Sequence, residues 1–245
     1  QMEWATARAE AETRQTRSAA FLAESVTGRL SEIRGALGFA ASGLHGSESA
    51  QSRLQAVESL ARTSGISGAA LWLPGGDPVT AGSLPPDLAL AADAALGSPQ
   101  WTAAMAGPDG FVVLAAPVEG PDSQVGTLLA FAEPGQLMGS AEASRIAVLT
   151  DGLGRTLAVR PEANISGAPL AAERFGLETR SVRAIGDAGG GAVSGAHLAG
   201  SEHILGVARL GEAPLYVYTL APSGLDAGAW NATLIFHALL FFGPL

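Results

Sequence analysis

The sequence predicts an α+β fold: a long N-terminal helix followed by two tandem units, each an antiparallel sheet with flanking helices. Three observations predict it. Residues 3 to about 44 contain no proline and alternate charged and apolar positions with a helical period. From Gly65 onward the pattern changes to short apolar runs separated by Gly- and Pro-rich turns. The order of those runs then occurs a second time along the chain.

In the first segment Val26, Ile33 and Ala40 recur every seven residues, as do Leu30, Leu37 and Leu44. The result is an apolar seam able to pack helix on helix. Upstream the same register falls on Ala23, Ala19, Thr16 and Glu12, so the seam weakens toward the start. Forty-odd helical residues span about 60 Å, which fits a helix running alongside two stacked domains or one projecting from a membrane. Val26, Leu30, Ile33, Leu37 and Leu44 are candidates for a dimer seam, with packing against the chain's own sheets as the alternative. Gly43, Gly46 and Ser47 break the helix. A shorter one follows, with Leu54, Val57, Leu60 and Ala61 on one face.

Gly68–Leu73, the turn Pro74–Pro78 and Val79–Thr80 read as a hairpin. Pro86–Leu96 reads as a short helix, Trp101–Met105 as a strand or helical turn, and Phe111–Val118 with Val125–Phe131 as an antiparallel pair. Arg145–Thr150, the turn Asp151–Gly154 and Arg155–Val159 make the next hairpin. Pro169–Phe175 is a short helix, and Ala192–Leu198, His203–Leu210 and Pro214–Leu220 are three strands. Ala130–Leu137 matches Tyr218–Leu225 at a spacing of 88 residues, Pro134 over Pro222, which points to a duplicated module. From Trp230 to Leu245 no residue carries a formal charge. Sixteen helical residues reach about 24 Å, less than a bilayer core, so this run reads as the start of a membrane span with Trp230 at the interface, or as a buried C-terminal helix. The segments are therefore a helical stalk (1–62), a first unit (63–138), a second unit (139–225) and the start of a transmembrane segment (226–245).

The 245 residues are 47% hydrophobic and 15% charged, with net charge −9 and no cysteine. Such a chain buries a core. It offers no thiol chemistry, and its acidity argues against a nucleic-acid partner. All 14 basic residues are Arg, a composition of GC-rich coding. The charge is unevenly placed: residues 1–62 balance to zero, 63–138 hold seven acids and no basic residue, and 139–225 balance to −1.

No Gly-x-Ser-x-Gly elbow or phosphate-binding loop occurs, so no catalytic residue and no cofactor is expected. His197, Glu202 and His203 flank a turn. A two-residue turn at Gly200–Ser201 would put the two histidines on opposite faces, and a three-residue loop would place them opposite each other. No metal site is expected. Arg155, Arg160, Arg174, Arg180 and Arg183 are the second unit's means of clamping a carboxylate or phosphate, or else form a salt-bridged surface with the interleaved acids. Tyr216 and Tyr218 share one face of the last strand. The candidate ligand-binding set is Arg155, Arg174, Arg180, Arg183, Tyr216 and Tyr218.

The element order, with the segments 148–155 and 206–217, resembles the double Cache (tandem PAS-like) extracytoplasmic sensor regions of bacterial transmembrane receptors. The resemblance covers residues 3–225. It implies a membrane-distal first unit, a membrane-proximal second unit, pockets between each sheet and its flanking helices, and an output domain across the membrane. That output would be a histidine kinase, with the alphaproteobacterial PleC sort as one form, or otherwise a chemoreceptor or cyclic-dinucleotide enzyme. It further implies a periplasmic region of an inner-membrane protein, homodimeric in the full receptor, that reads a small ligand or an extracytoplasmic protein partner. The amino-acid-binding subgroup uses Arg, Trp, Tyr and Asp in the distal unit. Residues 63–138 have no Arg or Tyr, which disfavours that subgroup. The competing reading is a protein interaction module with no small-molecule ligand.

Overall fold

The computed structural model describes residues 2–44, 49–73, 76–85, 102–104, 110–119, 125–139, 146–160, 170–211 and 213–223. Helix α1 runs unbroken from Met2 to Leu44, about 65 Å at 1.5 Å per residue. Its seam is buried: Ala19, Val26, Leu30, Ile33, Leu37 and Leu44 are at most 3% exposed. These side chains form one core with Leu71, Leu114 and Leu128 of the first sheet and Leu149, Leu215 and Val217 of the second. The helix thus lies alongside both sheets. Val26, Leu30, Ile33, Leu37 and Leu44 are consumed inside the monomer and present no seam to a partner, because a stripe wide enough to cover two sheets leaves nothing of itself outside.

Helix α2 (Ala50–Ala61) is capped by Ser49, whose side chain accepts from the Ser52 amide, and it buries Val57 and Leu60. Leu54, expected on that face, is exposed.

The first sheet comprises β1 (Gly68–Trp72), β2 (Val79–Gly82), β3 (Thr102–Ala104), β4 (Phe111–Glu119) and β5 (Val125–Ala132), in the order β2-β1-β5-β4-β3. Pro117 lies within β4, and the described part of β3 pairs only with Phe111–Val113. The short helix α3 (Pro134–Met138) follows. Arg29 of α1 donates to the Gln136 and Leu137 carbonyls, and Arg160 to that of Gly135 at 3.3 Å. Two cations thereby satisfy the carbonyls at the end of this helix.

The second sheet comprises β6 (Ile146–Asp151), β7 (Thr156–Arg160), β8 (Gly191–Leu198), β9 (Ser201–Arg209) and β10 (Leu215–Pro222), in the order β7-β6-β10-β9-β8. This is the first sheet's order repeated. Between β7 and β8 lie α4 (Ala171–Arg174) and α5 (Thr179–Asp187).

The 88-residue sequence match is not the structural equivalence. It sets Ala130, which faces α1, over Tyr218, which faces away from it, and a one-residue slip in a strand exchanges its faces. The expected helix at Pro86–Leu96 and the run from residue 226 lie outside the described residues.

Candidate functional site

Each sheet packs one face on α1 and turns the other away. On the second sheet the outer face is covered by α4 and α5, and Val148, Ala172, Phe175, Val182, Leu205, Val207, Tyr216, Tyr218 and Leu220 form a second core there. The register places the polar residues. Thr150 of β6 stands opposite both Tyr216 of β10 and Thr156 of β7, and directly paired residues share a face. Tyr218 follows Tyr216 at the period-two repeat. A bulge at Leu149/Thr150 leaves Leu157 as the extra residue and brings Thr156 to the outer side.

Helix α5 has no side-chain N-cap, and tertiary packing holds it in place. Thr179, Val182, Arg183 and Gly186 fall at i, i+3, i+4 and i+7, hence on one face. Val182 and Gly186 are buried. A Cβ on Gly186 would stand 2.8 Å from Tyr216 Cδ1, so glycine lets the tyrosine ring slide under the helix. The Arg183 guanidinium lies 5.7 Å from the centre of that ring, a cation–π contact. The Tyr216 hydroxyl donates to Asp187 at 2.6 Å. Burial, reinforced by that carboxylate, raises the phenol above its ordinary pKa, with Arg183 opposing.

Beneath α5 several polar atoms lack partners. Tyr218 is fully buried. Its neighbour Thr150 Oγ1 donates to the Tyr216 carbonyl at 3.4 Å. The Tyr218 hydroxyl meets no hydrogen-bond partner among the described residues, and the same is true of Thr156 Oγ1, Thr179 Oγ1 and Arg183 Nε. Burial drives the Tyr218 pKa upward, with Thr150 and Arg183 opposing, so the group is a neutral donor at physiological pH. An unmade hydrogen bond at a buried group costs about 1–3 kcal/mol. All four atoms sit on α5 or on the outer side of the second sheet.

The structure therefore unites three of the six expected ligand residues, Arg183, Tyr216 and Tyr218. Arg155 is engaged elsewhere, donating to Asp151 at 2.6 Å. Asp151 in turn accepts from the Leu153 and Arg155 amides and locks the β6–β7 turn. Arg180 is exposed and lies off the inward face of α5, and Arg174, at the end of α4, is partly exposed. Thr156, Thr179 and Asp187 were not foreseen. The spacing 179/182/183/186 was the available signal, but it is readable only once residues 179–187 are known to be helical.

The histidines divide between faces. The hairpin turn is Ala199–Gly200, so His197 pairs with Glu202 and His203 with Ala196. Both turn residues have positive φ, 51° and 85°, the primed geometry that suits a two-residue hairpin. Among the described residues no group of three metal-ligating side chains converges, and no helix is long and apolar enough to cross a membrane.

No family model and no curated protein matches this sequence. Solved structures do. The ligand-binding domain of the Pseudomonas fluorescens chemoreceptor CtaA, in complex with L-isoleucine, is 15% identical over 94% of this chain and 98% of that one, with a TM-score of 0.68. The extracellular domain of the putative histidine kinase rpHK1S-Z16 is 16% identical over 89% and 98%, with a TM-score of 0.62. The periplasmic sensory domain of the Campylobacter jejuni chemoreceptor Tlp1 is 12% identical over 88% and 96%, with a TM-score of 0.61. The fold is thus that of the tandem PAS-like, Cache-type sensor domains found outside the membrane on chemoreceptors and a histidine kinase.

Proposed function

We propose that this chain is the periplasmic signal-sensing domain of an inner-membrane receptor, with a histidine kinase as its output, and that a small ligand binds in the second unit between α5 and the outer face of its sheet. Residues 1–62 form its helical spine, 63–138 the membrane-distal unit, 139–225 the membrane-proximal unit, and the run from 226 begins the segment that enters the membrane. The observation that carries the ligand site is the fully buried, unpartnered Tyr218 hydroxyl under Arg183. The domain itself is not catalytic; any enzymatic step belongs to the output domain.

Signalling follows from the same packing. Helix α1 contacts both sheets, so a ligand that shifts α5 and β10 changes the seating of α1 and selects one of two arrangements. Homodimerisation in the full receptor belongs to this reading. On α1 it would use Phe21 and Phe39, which are 75% and 84% exposed and lie eighteen residues apart, about five full turns on one line. The test is a thermal-shift screen of the chain against a metabolite library. Stabilisation by one compound class, lost in Tyr218→Phe, supports the proposal. Indifference to every metabolite, with capture of a protein partner instead, overturns it in favour of an interaction module.

A further inference from the structure

The polar atoms left open around Tyr218 define a chemistry as well as a place. They comprise one guanidinium N–H, from Arg183, and three hydroxyls, from Tyr218, Thr156 and Thr179. All four can donate, and together they carry a single positive charge. Tyr218 cannot serve as an anion there, since burial keeps its proton on. The carboxylates that act on the two tyrosines are already used: Asp187 accepts from Tyr216 and Arg209, and Asp151 accepts from two amides and Arg155. Neither of these two carboxylates is left unengaged for a ligand ammonium. Phe175, Val182, Val207 and Leu220 supply an apolar wall on the same face.

From this inventory we infer that the second unit binds a small organic monocarboxylate with an apolar body and no amino group. The inference rests on the ligand-sensing reading above and narrows it. A carboxylate accepts in about four lone-pair directions, and the open atoms on this face are donors. Arg183 reaches it through a charge-assisted bond, which is the stronger kind. A dianion such as phosphate would bury a second charge with no cation to meet it, and a zwitterion would bury an ammonium with no acceptor; both are strongly disfavoured out of water. A neutral amide would leave the Arg183 charge uncompensated.

The experiment titrates the chain with propionate, propionamide, alanine and inorganic phosphate, and with the longer pair butyrate and butyramide. Binding is followed by calorimetry and by the melting temperature, on the wild-type chain, Tyr218→Phe and Arg183→Gln. Tyr218→Phe removes a hydroxyl that has no partner, so the variant folds and retains its melting temperature without ligand. The expected result is saturable binding of propionate and butyrate, with the amides, alanine and phosphate at least tenfold weaker. Tyr218→Phe should lose about tenfold in carboxylate affinity and Arg183→Gln more. Equal or tighter binding of alanine, phosphate or an amide that depends on Tyr218 overturns the monocarboxylate assignment while leaving the sensor reading standing. Carboxylate binding unaffected by either variant overturns the site. No binding by this panel, with a metabolite of another class stabilising the chain, overturns the inference alone; no response to any metabolite overturns both.

Discussion

The two sheets have one strand order and one partner in α1, yet they turn different chemistry outward. On the first sheet Ala70, Val113, Leu129 and Phe131 make an apolar outer core, edged by Trp72, Leu84 and Phe111, with Phe111 and Phe131 in edge-to-face contact at 6.5 Å. On the second sheet the same topological positions carry Thr150, Tyr216 and Tyr218 beneath Arg183. Topology is therefore shared while binding chemistry is local to a few side chains. The inner faces differ as well. Helix α1 meets the first sheet through aliphatic side chains, but against the second it buries Gln15, which accepts from Thr219 Oγ1 at 3.0 Å, and its backbone presses on Gly206.

The largest effect should come from that close approach. A Cβ on Gly206 would collide with the Gln15 carbonyl oxygen and stand 2.7 Å from Thr219 Oγ1. Gly206→Ala should therefore cost about 3 kcal/mol or more, and Gly206→Val should prevent folding. Urea denaturation checks this, and a loss below about 1 kcal/mol would show that α1 does not seat this closely on the second sheet.

The outer faces can be set against each other next. Phe131→Ala empties the apolar face of the first sheet and should cost about 3–5 kcal/mol. Tyr218→Phe removes an unpartnered hydroxyl and should be neutral or mildly stabilising. If Tyr218→Phe destabilised by more than about 1 kcal/mol in the same denaturation series, the hydroxyl would be structurally satisfied, and the contrast between the units would disappear.

How far the sequence carried this contrast follows from which periods it displays. The strands were legible because their alternation and their turns are local, and β1, β2 and β4–β10 fall where the apolar runs lie. The seam of α1 was legible as a period, but a period does not say what covers it; that the chain's own sheets do is a long-range fact. Helix α5 was hidden because it is only nine residues long, lacks a capping side chain and contains a glycine in its last turn. Without its phase, Arg183 could not be separated from Arg155, Arg174 and Arg180. Tyr216 and Tyr218 were legible as a same-face pair, but which atoms surround the Tyr218 hydroxyl depends on how α5 packs over the sheet.

A smaller effect of opposite sign is expected on the free side of α1. A Cβ on Gly35 would meet nothing within 4 Å, and glycine within a helix costs chain entropy. Gly35→Ala should stabilise by about 0.5–1 kcal/mol, readable as a rise in urea midpoint. Beside the loss at Gly206 it separates the packed face of the helix from the open one; destabilisation would mean that the open face is covered in solution.

The smallest effect concerns the polar fastening of α1 to the second sheet near its start, which the first sheet has no counterpart for among the described residues. Ser194 of β8 donates to Glu12, and Arg8 donates to the same carboxylate at 3.1 Å. The Ser194 hydrogen bond, helped by Arg8 and opposed by partial burial, holds the Glu12 carboxyl below its ordinary pKa. A carboxylate depressed in the folded state contributes stability that is fully present above its unfolded pKa of about 4.3 and is lost as the pH falls through the lower folded value. Because the group is well exposed, the contribution is small, on the order of 1 °C in melting temperature. Glu12→Gln should therefore melt slightly below wild type at pH 7 and converge with it as the pH falls below the unfolded value of about 4.3. A gap that stays constant down to pH 3 would mean that the Ser194 contact acts through shape alone and that the ionised carboxylate adds nothing to the seating of α1.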